Sequence, residues 1–303
     1  MNTAASPTAF PEGALVVDKP RGLTSHDVVT AVRRILGEPR VGHTGTLDPL
    51  ATGVLPLLVG RATRLAQFVA PVDKTYTARI RFGWATDTDD ETGRPLTPPL
   101  PAEVDRGAVE QALARFRGSY TQRPPDYSAK QVAGRRAYLL ARRETPADLP
   151  AINVRVDRLD VVEWTPGAVD LDIVCSAGFY VRALARDLGE AVGCGGHLAA
   201  LRRLASGGFR LEDALPLETV LGDPERARRA IVPAGIVMAH LPAVVLNEDA
   251  IRRARHGADV AWPGEAPEPP PERVRLMAPD GSLIAVAEPA ERPGVLHPVV
   301  VLM

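Results

Sequence analysis

Short apolar runs and helix-spaced apolar stripes alternate along the first part of the chain. The run ALVVDKP (14–20) closes on a proline and predicts a buried strand. In TSHDVVTAVRRILG (24–37), Val28, Val29, Val32, Ile35 and Leu36 form one helical stripe. Thr24 and Asp27 there resemble a capping box, and Gly37 supplies the stop. VLPLLVG (54–60) predicts another buried strand, and RATRLAQFVA (61–70) a short helix. In KTYTARIRF (74–82), Tyr76, Ala78, Ile80 and Phe82 alternate with polar residues, the mark of a half-exposed strand.

A polar, proline-rich connection follows from residue 87, and its carboxylates Asp87, Asp89, Asp90 and Glu91 are expected in a solvated turn. GAVEQALARFRG (107–118) predicts a helix, INVRVDRLDVVEW (152–164) and AVDLDIVCSAG (168–178) two strands, and VRALARDLGEAVG (181–193) and HLAALRRLASG (197–207) two helices. Strands and helices without a regular βα alternation indicate an α+β fold rather than a doubly wound sheet. Near Leu241 the texture changes to short strands, a short helix, a proline-rich stretch and a hairpin with a Pro-Asp-Gly-Ser turn. These last sixty-odd residues predict a small β-barrel-like unit at 241–303, after a larger one at 14–240 and a flexible tail at 1–13.

Charge adds one feature. The chain of 303 residues carries 36 basic and 37 acidic side chains, so net charge points to no partner. Between residues 113 and 143, however, eight basic residues face a single acid, Asp126. Such a stretch can present a phosphate-binding face on a neutral protein. Two cysteines, Cys175 and Cys194, without a CxxC pattern fit neither a zinc site nor a disulfide framework and suit a reducing cytosol. No apolar run is long enough to span a membrane, and the first residues lack the form of a signal peptide.

The stretch VGHTGTLDPLATG (41–53) concentrates glycine, threonine, one histidine and one carboxylate, Asp48, between two apolar elements. It lacks the lysine of a P-loop, the ligand spacing of a metal site and the G-x-S-x-G of a serine hydrolase. Asp before Pro49 is by itself a common turn former.

Its wording, GHTGTLDPLATGVLPLLVGRATRL, resembles the catalytic motif of the TruB family of tRNA pseudouridine synthases. VVDKPRGLTSHDVV, KTYTARIRFGWATDTDD, PPDYSAKQVAGRRAYLLAR and CSAGFYVRALARDLGEAVGCGGHLAALRRLASGGF resemble further motifs of that family in the same order. Together they cover roughly two-thirds of the chain, and the last sixty-odd residues more weakly resemble a PUA domain. The resemblance implies a pseudouridine synthase fold, α+β with a mixed, mainly antiparallel sheet and flanking helices, in which residues 123–150 form a basic thumb closing on RNA, with salt-dependent tRNA binding.

The activity so implied is the isomerisation of uridine 55 in the tRNA T loop, with the base flipped out and no cofactor or metal. Asp48 then matches the catalytic carboxylate, Arg182 its ionic partner, and Tyr76 the aromatic ring stacked on the uracil. Tyr180 and Leu201 match pocket walls, His43 a residue entering the RNA loop, and Lys19 a support of the pocket. A cytoplasmic monomer that needs no protein partner is implied as well. Phe179 stands where the family usually has threonine, and the thumb wording also departs. Three other readings compete with it. A glycoside hydrolase would need two carboxylates at a set separation; an RNA-folding protein could have the fold without chemistry; a guide-directed relative would share the catalytic core.

Overall fold

The computed structural model describes residues 11–99, 104–127, 131–132, 135–136 and 149–302. Its main sheet runs, in spatial order, Leu215–Pro216, Gly13–Lys19, Thr52–Val59, Gly196–Ser206, Lys74–Phe82, Ala168–Cys175, Ile152–Thr165 and Gly118–Gln122. Two of these pairings are parallel, Gly13–Lys19 with Leu215–Pro216 and Gly196–Ser206 with Thr52–Val59. The others are antiparallel, as the resemblance implies.

The first helix, Ser25–Leu36, starts and stops where its sequence dictates. Thr24 and Asp27 exchange the two bonds of a capping box, and Gly37 takes a left-handed φ of 68° at the C-cap. Its Val28, Val32 and Leu36 enter one core with Leu15, Leu55 and Leu57 of the sheet. Helices Arg106–Leu113 and Val181–Ala191 add Val109, Leu113, Leu184 and Leu188 to that core. Lys74–Phe82 buries every second residue, as its alternation predicts.

One element departs from expectation. Residues 197–207 are not a helix: Gly196–Ser206 is a strand at the centre of the sheet. Leu, Ala and Arg favour helix locally, but that preference is worth only tenths of a kcal/mol per residue and tertiary context overrides it. Register shifts at Leu198/Ala200 and Arg203/Ala205 also break the period of two that would have marked a strand.

Beyond Leu241 a second sheet is ordered Ala243–Val245, Val274–Met277, Leu283–Pro289, Val295–Val301 and Val260–Ala261. The expected hairpin is present, and helix Glu248–Arg255 packs beside it. Among the described residues no pairing joins the two outer strands, so the ladder is open. It has its own core around Leu246, Ala254, Leu276 and Leu296. A third cluster, with Leu58, Leu65, Met238, Met277 and Leu302, packs this sheet against the first part of the chain. Most of the basic stretch expected at 123–150, and residues 1–10 of the expected tail, lie outside the described residues. Among the described residues no helix is long and apolar enough to cross a membrane.

Candidate active site

Asp48 is held by a loop whose own backbone is bolted down around it. Leu47, Leu50 and Ala51 are buried and anchor the loop to the core. The Ser25 hydroxyl accepts from Leu47 N–H at 2.8 Å and donates to Leu47 O at 3.1 Å. Lys19, wholly buried, donates from Nζ to Pro20 O (2.9 Å), Leu23 O (2.7 Å) and Pro49 O (3.5 Å). Burial pushes the Lys19 ammonium down to about 8, against the pull of the Asp48 carboxylate. Ala51 N–H closes the turn onto Asp48 O at 3.0 Å. The Asp48 side chain is left 34% exposed.

The carboxylate meets a guanidinium edge on. Arg182 Nε donates to Asp48 Oδ2 at 2.9 Å and Nη2 to Oδ1 at 3.0 Å, a bidentate pair. Arg182 sits in the first turn of helix Val181–Ala191 and its side chain is only 7% exposed. Nη1 donates to Thr88 O at 3.1 Å and Nη2 to Tyr127 O at 2.9 Å, while Asp90 Oδ2 lies 3.9 Å from Nε. The helix start is fixed by the buried Gln122, whose amide exchanges two hydrogen bonds with the Tyr180 backbone.

This corrects the expectation of a solvated acidic turn. Asp89 and Asp90 are buried, and the Asp90 carboxylate accepts from Thr88 and Thr92. Asp87 and Glu91 pair with Arg94 and Arg21. Composition marks a polar connection, but it cannot show that Leu198 N–H binds Asp89 O, docking that connection on the central strand.

Asp48, Tyr76, Tyr180, Arg182 and Leu201 line one cavity of about 380 Å³. That lies within the range of about 300–1,000 Å³ usual for small-ligand sites. Lys19 does not line it but clamps the loop from behind. His43, which ends the strand Val41–His43, does not line it either. Burial raises the Tyr76 phenol above its ordinary value, so at neutral pH the cavity floor is an uncharged ring.

Sequence reasoning missed Lys74 and Arg203, both on the cavity wall. Arg203 is 1% exposed and donates to Val54 O (2.6 Å), Gly45 O (3.1 Å) and Thr46 O (3.4 Å). It ties the Asp48 loop to the central strand and faces Tyr76. The strand's broken period hid it. Arg203→Met leaves these carbonyls without their donor and should lower stability by about 1–3 kcal/mol in urea unfolding. An unchanged midpoint would show that the loop does not depend on it.

Known proteins bear on this arrangement. The model of the TruB family pseudouridylate synthase N-terminal domain matches residues 33–181, and that of the tRNA pseudouridylate synthase B C-terminal domain matches 182–238. A tRNA pseudouridine synthase B of Solibacter usitatus is 43% identical over 293 residues, 96% of this chain and 100% of its own. One of Gloeobacter violaceus is 47% identical over 240 residues, 78% of this chain and 82% of its own. Among solved structures, a chain of a Cbf5-Nop10-Gar1 complex is 27% identical with a TM-score of 0.73, covering 99% of this chain and 92% of that one. A chain of the archaeal box H/ACA sRNP Nop10-Cbf5 complex is 26% identical with a TM-score of 0.70, covering 97% of this chain and 87% of that one. With both family models and near-complete relatives in agreement, the chain belongs to the TruB family of pseudouridylate synthases, isomerases that carry the pseudouridine synthase fold.

Proposed function

We propose that this protein isomerises uridine 55 in the T loop of tRNA to pseudouridine, with Asp48 as the catalytic carboxylate. The observation that carries the proposal is the bidentate Arg182–Asp48 pair opening onto a cavity walled by Tyr76, Tyr180 and Leu201. A base inside a folded loop must leave its stack, at a cost of roughly a few kcal/mol, before any side chain can reach its glycosidic bond. Stacking of the uracil on the buried ring of Tyr76, against the apolar wall of Leu201, offsets part of that cost.

Arg182 holds the Asp48 carboxylate in a fixed plane by two hydrogen bonds, so that it faces an electron-poor ribose carbon. Two routes are open to it: addition to C1′, or removal of a ribose proton to give a glycal. Either leaves the N1–C1′ bond broken. The uracil then turns in the cavity and C5 joins C1′, as the Asp48–C1′ bond breaks in the first route or the ribose proton returns in the second; the C5 proton departs and N1 gains one. No electrons enter or leave, so no redox cofactor is called for.

His43 enters the RNA loop at the vacated position, and Lys19 supports the pocket. The chain divides into a tail at 1–13, a catalytic domain at 14–240 with a basic thumb at about 123–150, and a PUA-like RNA-binding domain at 241–303. The separate core around Leu246 and Leu276 supports that division. The enzyme acts as a cytoplasmic monomer. The likeness to chains of H/ACA complexes favours a guide-directed reading, but relatives more than 40% identical are named tRNA pseudouridine synthase B and outweigh it.

The test uses a T-stem-loop RNA tritiated at C5 of its uridines. Tritium release, with pseudouridine mapped to position 55 and no release at that position after U55→C, is expected. Tight, salt-sensitive binding without release would overturn the proposal in favour of an RNA-folding protein.

A further inference from the structure

Asp89 is an unusual residue for its surroundings. It is a carboxylate 9% exposed, on a backbone with φ of 60°, a left-handed conformation that Asp tolerates better than most residues. Its Oδ2 lies 2.9 Å from Arg186 Nη1. Arg186 also donates to Asp187 Oδ1 at 2.9 Å and to Arg123 O at 2.8 Å.

Arg186 stands one helical turn after Arg182, and the same two segments embrace both arginines. Thr88 and Asp90, on either side of Asp89, both approach Arg182: Thr88 O at 3.1 Å from Nη1 and Asp90 Oδ2 at 3.9 Å from Nε. On the other side, the carbonyls of Tyr127 and Arg123 accept from Arg182 and Arg186 respectively.

We propose that Asp89 and Arg186 form a positioning pair for the reaction, fixing the 88–90 backbone and through it the plane of Arg182 against Asp48. This rests on the reading of Asp48 and Arg182 as the reacting pair. A buried ion pair is a poor source of net stability compared with apolar side chains of the same size, but removing one partner leaves a stranded charge. What the pair supplies here is a defined loop conformation. If Asp89 loses its partner, Thr88 O and the Asp90 carboxylate lose their register on Arg182. Small misplacements of such groups are costly in rate.

The pair also titrates in a useful window. Burial pushes Asp89 up to about 6; Arg186 and then Arg182 oppose the rise, and Asp187 and Asp126 add to it. A raised carboxyl takes up its proton as pH falls through about 6, so the Asp89–Arg186 ion pair is lost and Arg186 keeps only Asp187. The rate therefore gains an acid limb in that window, and a neutral residue at 89 removes it.

Tritium release by the full chain, over a range of about pH 5 to 8, separates the outcomes. Asp89→Asn should lower kcat about ten- to a hundredfold with KM for the RNA within about twofold. Its pH profile should lack the limb near 6. Arg186→Lys should retain more rate than Arg186→Met, and if the Met variant does not fold, the near-isosteric Asp89→Asn carries the test. Wild-type kcat and an unchanged acid limb in Asp89→Asn, with Asp48→Asn inactive, would overturn the positioning role alone. So would a loss in KM, or one that tracks a fallen melting temperature. A wild type no more active than Asp48→Asn would instead sink the synthase reading, and this inference with it.

Discussion

Asp48→Asn should bind the T-stem-loop as the wild type does and release tritium at least about a thousandfold more slowly, since it removes the group on which both chemical routes depend. The substitution keeps the shape of the side chain and removes its charge. It also places an amide NH2 against Arg182, which has only donors to offer, so one of the two hydrogen bonds becomes a donor facing a donor. The loop itself does not need the carboxylate. Ser25 holds Leu47, Lys19 holds Pro49, and Leu47, Leu50 and Ala51 are anchored in the core. The melting temperature should therefore stay within a few degrees, so that a lost rate reads as lost chemistry. Release within tenfold of wild type would show that Asp48 is not the catalytic carboxylate.

How far the sequence could be read depended on whether its signals were local. The capping box at Thr24 and Asp27, the stop at Gly37 and the alternation of Lys74–Phe82 each depend on residues a few positions apart, and each was legible. Asp48, Tyr76 and Arg182 were legible through wording matched to a family, and the structure brings the three to one cavity. Arg203 and the strand that carries it were not, because two register shifts erase the period and the local composition favours helix. The burial of Asp89 and Asp90 was equally hidden. A run of acids and threonines reads as solvent-facing until Leu198, Arg182 and Arg186 are known to lie against it. Contacts between residues about a hundred positions apart leave no periodic trace.

Gly53→Val should be among the most destabilising single substitutions in the chain, costing about 4 kcal/mol or more in urea unfolding or abolishing soluble expression. Gly53 is the second residue of the strand that follows the Asp48 loop and has a φ of 101°, a conformation that a β-branched residue adopts only with strain. Space compounds the strain. A Cβ at Gly53 would lie 2.2 Å from Arg203 O and 2.8 Å from Arg203 N, both backbone atoms of the central strand. Neither neighbour can yield cheaply. Arg203 pairs with Gly53 on one side and with Tyr76 on the other, and its own side chain is tied to Val54, Thr46 and Gly45. Displacing that strand shifts the floor of the cavity and the loop above it at once, so activity should fall with stability. Gly53→Ala, smaller but held at the same φ, should lie between Val and wild type. A Gly53→Val protein that unfolds at the wild-type urea concentration would mean that the two strands can part here, and that the close approach at Gly53 does not hold the Asp48 loop in place.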